Sequence, residues 1–383
     1  MKAIAVNTYV VDVGSFRPVV VEILTDEGIS GVGEGAVGFG IGCNAAAAMI
    51  KELAERFVVG KDIGGILSIW NDFYYDTFWG KGAGAIFYAA VSALEQALWD
   101  IKGQALGVPV YELLGGKQRE VIPIYANGWS EGKCICPEDF AEQGFSAMKM
   151  YPMSQIDPIR HLNKHIKNRE VTKKVFDCAV RAVELVRQTI GPERELLVDV
   201  TAEGTTDMMW RFGQAIEPYN IFWYEEAMDA FDVDAYRTIR DKVNIPLATG
   251  ERLYTRYGFR RLLESRAVDV VQPDPGTCGG IMEAFHIGAA AETYSARIAP
   301  HNCGGPVLTA AALQLASCLS NFAIQEIFPF HTPAQYEIVE EAYEHKIHDG
   351  VIDVPVLPGL GIKLNHAFVD PFRVNSVSVK DIV

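Results

Sequence analysis

From Val121 to Glu326 the chain keeps one rhythm, a short apolar run followed by an amphipathic stretch, repeated eight times. The runs read VIPIYA, FSAMKMY, ELLVDV, IFWYEE, IPLATGE, AVDVVQPD, SARIAPH and FAIQE. Strand-like runs alternating with helical patterns predict a β/α barrel. A barrel takes about 250 residues, and the 383 present leave room for a second, smaller domain. The N-terminal part supplies it. Ala3 to Val11, Pro18 to Thr25 and Ser30 to Glu34 alternate like strands, and Asp26-Glu27-Gly28 is a turn. A glycine-rich stretch, Gly35 to Asn44, reads as a loop, and helical pattern runs from Ala45 to about Lys102. The expected division is an α+β capping domain over 1–120, completed by 356–383, and a barrel over 121–355.

Barrel enzymes carry their chemistry at the C-terminal ends of the strands. The polar residues that end the apolar runs are Lys149, Asp199, Glu225, Glu251, Asp274, His301 and Glu326. From Asp199 onward they follow one another at steps of 26, 26, 23, 27 and 25 residues. Each step is about one strand, one helix and two loops, so the side chains should share one mouth. Asp199, Glu225 and Glu251 come from successive strands. Three crowded carboxylates raise one another's pKa unless a cation sits between them, and an all-oxygen donor set favours Mg2+. Taken singly, each could equally be a rim residue in a salt bridge. Asp274 can fix the tautomer of His301 and make it a general base or acid. Lys149 can neutralise a substrate carboxylate or enolate oxygen, and Tyr151 points the same way as a donor. Glu326 is a hydrogen-bond acceptor, or a donor if protonated.

Composition narrows the function further. Apolar residues make up 49%, enough for a large core, and the net charge is -15. That acidity argues against nucleic-acid or anionic-membrane partners, and an anionic substrate would need a local cation to reverse the field. Seven cysteines include only one C-x-C pair, Cys134 and Cys136, which reads as reduced thiols rather than a zinc site. The opening MKAIAVNTYVVDVG has no signal-peptide pattern, and no apolar run reaches the ~18 residues of a membrane span. A cytoplasmic enzyme is expected.

Several segments resemble the mandelate racemase subgroup of the enolase superfamily. They are ALEQALWDIKGQALGVPVYELLGG (Ala93 to Gly116), WYEEA, ATGER, QPDPG, PHNCGGP, FAIQE and PGLGIKLN. Together they are specific for the superfamily and less so for its galactonate dehydratase-like members. The resemblance implies a modified (β/α)7β TIM-type barrel, an α+β cap whose 35–44 loop shapes specificity, and a homo-oligomer. It implies Mg2+ on Asp199, Glu225 and Glu251, and His301 with Asp274 removing the α-proton of a sugar acid. Lys149 and Glu326 then flank the enediolate, and a hydro-lyase yields a 2-keto-3-deoxy acid.

The chain departs from that pattern at named places. Tyr151 stands where a second lysine is common, Thr201 where galactonate-type dehydratases carry a histidine, and Ala227 where proline is familiar. The segment Pro152 to Lys174 resembles an insertion of sugar-acid dehydratases. It carries Arg160, His161, Lys164, His165 and Lys167, more simply read as a solvated helix than as a cover for the substrate. Two other functions stay open, a racemase or epimerase on the same scaffold and a non-catalytic binding barrel.

Overall fold

The computed structural model describes residues 1–14, 16–127, 144–153, 172–329 and 332–381. Cys134, Cys136 and the cations Arg160, His161, Lys164, His165 and Lys167 lie outside the described residues.

The N-terminal part is a four-stranded antiparallel sheet backed by helices. Strands β1 (Ala3–Val10), β2 (Val19–Thr25) and β3 (Ser30–Gly35) form where the sequence predicts them, although burial does not alternate along them and nearly every residue of β2 and β3 is buried. A fourth strand, Arg373–Ser378 near the C-terminus, completes the sheet by pairing with β1. The predicted helical region divides into α1 (Cys43–Leu53), α2 (Ile66–Tyr75) and α3 (Ala85–Leu106). Glycines at 60, 64, 65, 80, 82 and 84 break the pattern between them. Helix α3 is rich in strong helix formers and stops at Gly107, which takes the left-handed conformation at φ 70°. It is buried nearly all round because the sheet covers one side and the barrel the other. The approach to the sheet requires glycine in β3, since a Cβ on Gly33 would overlap the Ala93 carbonyl.

The second part is a barrel of eight parallel strands: β4 (Val121–Ala126), β5 (Ala147–Met150), β6 (Glu195–Asp199), β7 (Ile221–Glu225), β8 (Leu247–Thr249), β9 (Val270–Val271), β10 (Arg297–Ile298) and β11 (Gln325–Ile327). Neighbours pair in sequence order, and β11 returns to β4. The ring closes where Ile298 bridges Phe322, with Ala323 N donating to Ile298 O at 2.8 Å. A short strand, β12 (Val351–Asp353), runs antiparallel to the start of β4. Among the described residues no helix is long and apolar enough to cross a membrane.

One buried layer inside the barrel takes one side chain from each stave: Tyr125, Ala147, Leu197, Trp223, Ala248, Val270, Ala299 and Ile324. Side chains along a strand return to the same face every second residue. The next inward places are therefore Asn127, Lys149, Asp199, Glu225, Gly250, Gln272, His301 and Glu326. The alternation that fills the barrel with apolar groups thus delivers polar ones to its upper end. On β8 and β9 the acid arrives later, as Glu251 after Gly250 (φ 138°) and as Asp274 two residues past Gln272.

Candidate active site

Asp199, Glu225 and Glu251 come together as the spacing predicts. One carboxylate oxygen from each lies within 4.8 Å of the others. Asp199 and Glu225 are buried and Glu251 is 18% exposed. Burial, followed by the charge of Glu225, pushes the Asp199 carboxyl well above its usual value. Thr201 N donates to Asp199 Oδ1 at 2.8 Å. Trp223 Nε1 donates to Glu225 Oε2 at 2.8 Å, and Arg252 Nε lies 3.3 Å from Glu251 Oε1. The turn after β6 is strained, with Thr201 at φ 48° and Ala202 at φ 57°. Left-handed backbone at such residues costs on the order of 1–2 kcal/mol each. Ala202 N donates to Glu226 O at 2.7 Å and ties that turn to β7.

Lys149 is wholly buried among the acids. Its Nζ lies 2.6 Å from Glu225 Oε1, 2.7 Å from Glu326 Oε1 and 3.5 Å from Asp199 Oδ2. Burial alone would discharge it. Glu225 and Glu326 outweigh burial and hold the ammonium protonated well above its usual range. The same pairing acts on Glu326, where burial is overcome by Lys149 and His301 and the carboxyl lies below its usual value. Glu326 is thus an acceptor, not a donor. It takes Asn302 N at 3.0 Å and Asn127 Nδ2 at 2.6 Å.

His301 Nδ1 lies 2.7 Å from Asp274 Oδ2, and its Nε2 faces Glu251 Oε2 at 3.2 Å and Glu326 Oε2 at 3.8 Å. Burial disfavours the imidazolium, but Glu251, Glu326 and Asp274 raise its pKa to about 10. Burial lifts Asp274 above the usual carboxylate range, and the bond to His301 restrains the rise. Tyr151 accepts a 2.6 Å hydrogen bond from Asn127 Nδ2, and burial pushes its hydroxyl well above the usual value. All eight side chains singled out from the sequence therefore meet at one end of the barrel.

Four neighbours escaped the sequence reading. Asn127 follows the first run, VIPIYA, one residue past the place where that run was cut. The period of two from Tyr125 would have found it. Trp223 lies inside the apolar run IFWYEE, where its indole N–H is hidden from a reading of hydrophobicity, and it holds Glu225 in place. Arg252 bridges Glu251 and Glu226, 3.4 Å from Glu226 Oε2. Burial pushes Glu226 up to about 8.

Residues 137–368 match the model described as "Enolase C-terminal domain-like", and residues 3–115 match "Mandelate racemase / muconate lactonizing enzyme, N-terminal domain". The chain belongs to the mandelate racemase / muconate lactonizing enzyme family of the enolase superfamily. It is 32% identical to a D-galactonate dehydratase of Variovorax paradoxus, over 95% of this chain and 92% of that one. A D-xylonate dehydratase of Haloferax volcanii is 29% identical, over 98% and 90%. A solved enolase superfamily member from Salmonella Typhimurium superposes with a TM-score of 0.90 at 36% identity, covering 99% of each chain. As an enolase superfamily member with both family domains, the chain carries the expected modified barrel and α+β cap.

Proposed function

We propose that this chain is a Mg2+-dependent hydro-lyase that takes the α-proton of a sugar acid and expels a hydroxyl, by way of an enediolate, to give a 2-keto-3-deoxy acid. The lyase class rests on the dehydratase relatives, and the sugar-acid substrate on their D-galactonate and D-xylonate. The observation that carries the chemistry is the trio of carboxylate oxygens within 4.8 Å, with a His–Asp pair on its edge.

The donors suit the ion. All three are oxygens, which favours Mg2+ over softer metals, and a divalent cation would hold ionised the Asp199 carboxyl that burial, and after it the charge of Glu225, pushes up. When bound, Mg2+ would mask the charge of the substrate carboxylate and acidify the adjoining C–H. The remaining work falls to the chain's own groups. With the charge of Glu251 taken up by a bound cation, the largest influence that raises His301 is removed, and the neutral imidazole would take the proton at Nε2 while Asp274 holds Nδ1; the imidazolium can then give that proton to the departing hydroxide. Lys149, fixed as a cation between Glu225 and Glu326, faces charge that develops on the substrate oxygens. Glu326 aligns Lys149 and the His301 loop. Tyr151, with its raised pKa, serves as a hydrogen-bonding group and not as a second base. A two-base racemase therefore has the weaker case.

The test is a screen of mono- and diacid sugars with Mg2+, detecting 2-keto-3-deoxy products with semicarbazide. At least one aldonate or aldarate should turn over, and EDTA should stop it until Mg2+ is restored. Exchange of the α-proton in D2O with epimer and no keto product would replace the dehydratase with an epimerase. Binding across the library without any turnover would remove both.

A further inference from the structure

The two barrel helices that follow the Asp274 and His301 strands each begin at a glycine. Helix Ile281–Thr293 has Gly280 at its N-cap and helix Pro306–Cys318 has Gly305, so neither cap offers a side-chain acceptor. On the other side of the barrel, Thr172 and Asp232 cap their own helices. For the glycine-started pair the acceptors come from the N-terminal domain. Glu95 of α3 accepts from Ile281 N at 2.7 Å and Met282 N at 2.9 Å. Glu34 of β3 accepts from Gly305 N at 2.6 Å and Leu308 N at 3.0 Å. Helix N-termini attract negative charge, so a carboxylate suits each place.

Gln96 of α3 ties this arrangement to the Asp274 loop. Its Oε1 accepts from Glu34 N at 2.9 Å, and its Nε2 donates to Glu34 O at 3.0 Å and Pro275 O at 2.9 Å. Ala36 N donates to Gly276 O at 3.0 Å, and Gly276 N donates to Asp274 Oδ1 at 2.7 Å. The fit is close, since a Cβ on Gly276 would lie 2.9 Å from Ala36 N. Glu34 thus reaches both loops, the Asp274 loop through its backbone and Gln96, and the His301 loop through its carboxylate at Gly305.

We infer that Glu34 and Gln96 are positioning residues for the Asp274–His301 pair, so that docking of the cap sets the orientation of the base. The inference rests on the proposed role of His301. Their side chains bond backbone groups of the two loops, Gln96 at Pro275 and Glu34 at Gly305 and Leu308. Both fix the backbone on which the 2.7 Å contact between Nδ1 and Oδ2 depends.

The experiment uses 15N-histidine-labelled full-length protein with Mg2+ at pH 8, with the His301 signal assigned from His301→Asn. Glu34→Gln and Gln96→Glu should each move the His301 Nδ1 resonance and leave Mn2+ affinity within about twofold. Turnover should fall by roughly 10- to 100-fold, the scale expected of a small misplacement, with KM little changed. Asp100→Asn is the control. Asp100 is an equally buried cap carboxylate that accepts from Val32 N at 2.9 Å and Leu360 N at 2.8 Å, away from both loops. It should lower the melting temperature without moving the His301 signal. An unmoved signal in both folded variants, or an equal shift in Asp100→Asn, would overturn the inference. The spectra need no substrate, so they decide the positioning role even if no sugar acid turns over.

Discussion

The mouth of the barrel has two arcs, and they are held in different ways. The arc of Asp199, Glu225 and Glu251 is organised from within the barrel, by Trp223, Lys149 and Arg252. The arc of Asp274 and His301 is fixed by loops that the cap clamps from outside. The first arc is a set of like charges whose mutual repulsion calls for an ion. The second is a matched pair, with the imidazole Nδ1 2.7 Å from the carboxylate. The difference suggests that ion binding should survive damage to the cap, whereas proton transfer should not.

The largest test of that contrast lies in the first arc. Glu251→Gln or Asp199→Asn should abolish measurable Mg2+ binding by calorimetry and lower turnover by at least roughly 10³-fold. Full activity in a folded variant would end the idea of a metal site here. Next, His301→Asn should cost about 10²- to 10⁴-fold in kcat, the usual reach of general base catalysis, while Mn2+ binding followed by EPR persists. Simultaneous loss of the ion would join the two arcs into one unit. Smaller still, Trp223→Phe removes the indole donor to Glu225 and should weaken metal affinity by about tenfold. No change in affinity would leave Lys149 and the barrel as sufficient support.

The fourth test uses pH. In the metal-free protein the His301 pKa is raised to about 10, above the ~6.5 of an unfolded chain. A raised histidine stabilises the fold fully below the unfolded value and loses that contribution as pH rises through the folded one. Metal-free protein should therefore lose stability between about pH 6.5 and 10, measured by urea denaturation. Mg2+ should flatten the loss, because it neutralises Glu251, the leading charge behind the shift. The smallest effect belongs to Ala202→Gly, which relieves a left-handed residue and should raise stability by up to about 1 kcal/mol.

Much of the site was legible because a parallel barrel converts position in a run into position in space. Lys149, Asp199, Glu225 and Glu326 lie within their strands, so the period of two places them directly. Glu251 and Asp274 lie past their strands, at Gly250 and at the turn 272–276, and were found only because they close their runs. The cap contacts were not legible. Nothing in the local pattern of ALEQALWD says that Gln96 reaches Pro275, 179 residues away. Periodicity reports which face of a helix is covered, and not which backbone carbonyl lies beneath it. Helical pattern dominates from Ala45 to about Lys102, and its glycines mark where the chain divides into α1, α2 and α3.

The pairing of Arg373–Ser378 with β1 bears on how the molecule is made. Ala5 finds its partner in Ser378, so β1 leaves the ribosome long before the strand that completes its sheet. Through that interval the barrel can assemble while one margin of β1 stays bare, and bare margins recruit strands from other chains. Synthesis in crowded cells should therefore lean on chaperones until that partner strand emerges, and deleting Arg373–Ser378 should shift the product toward inclusion bodies.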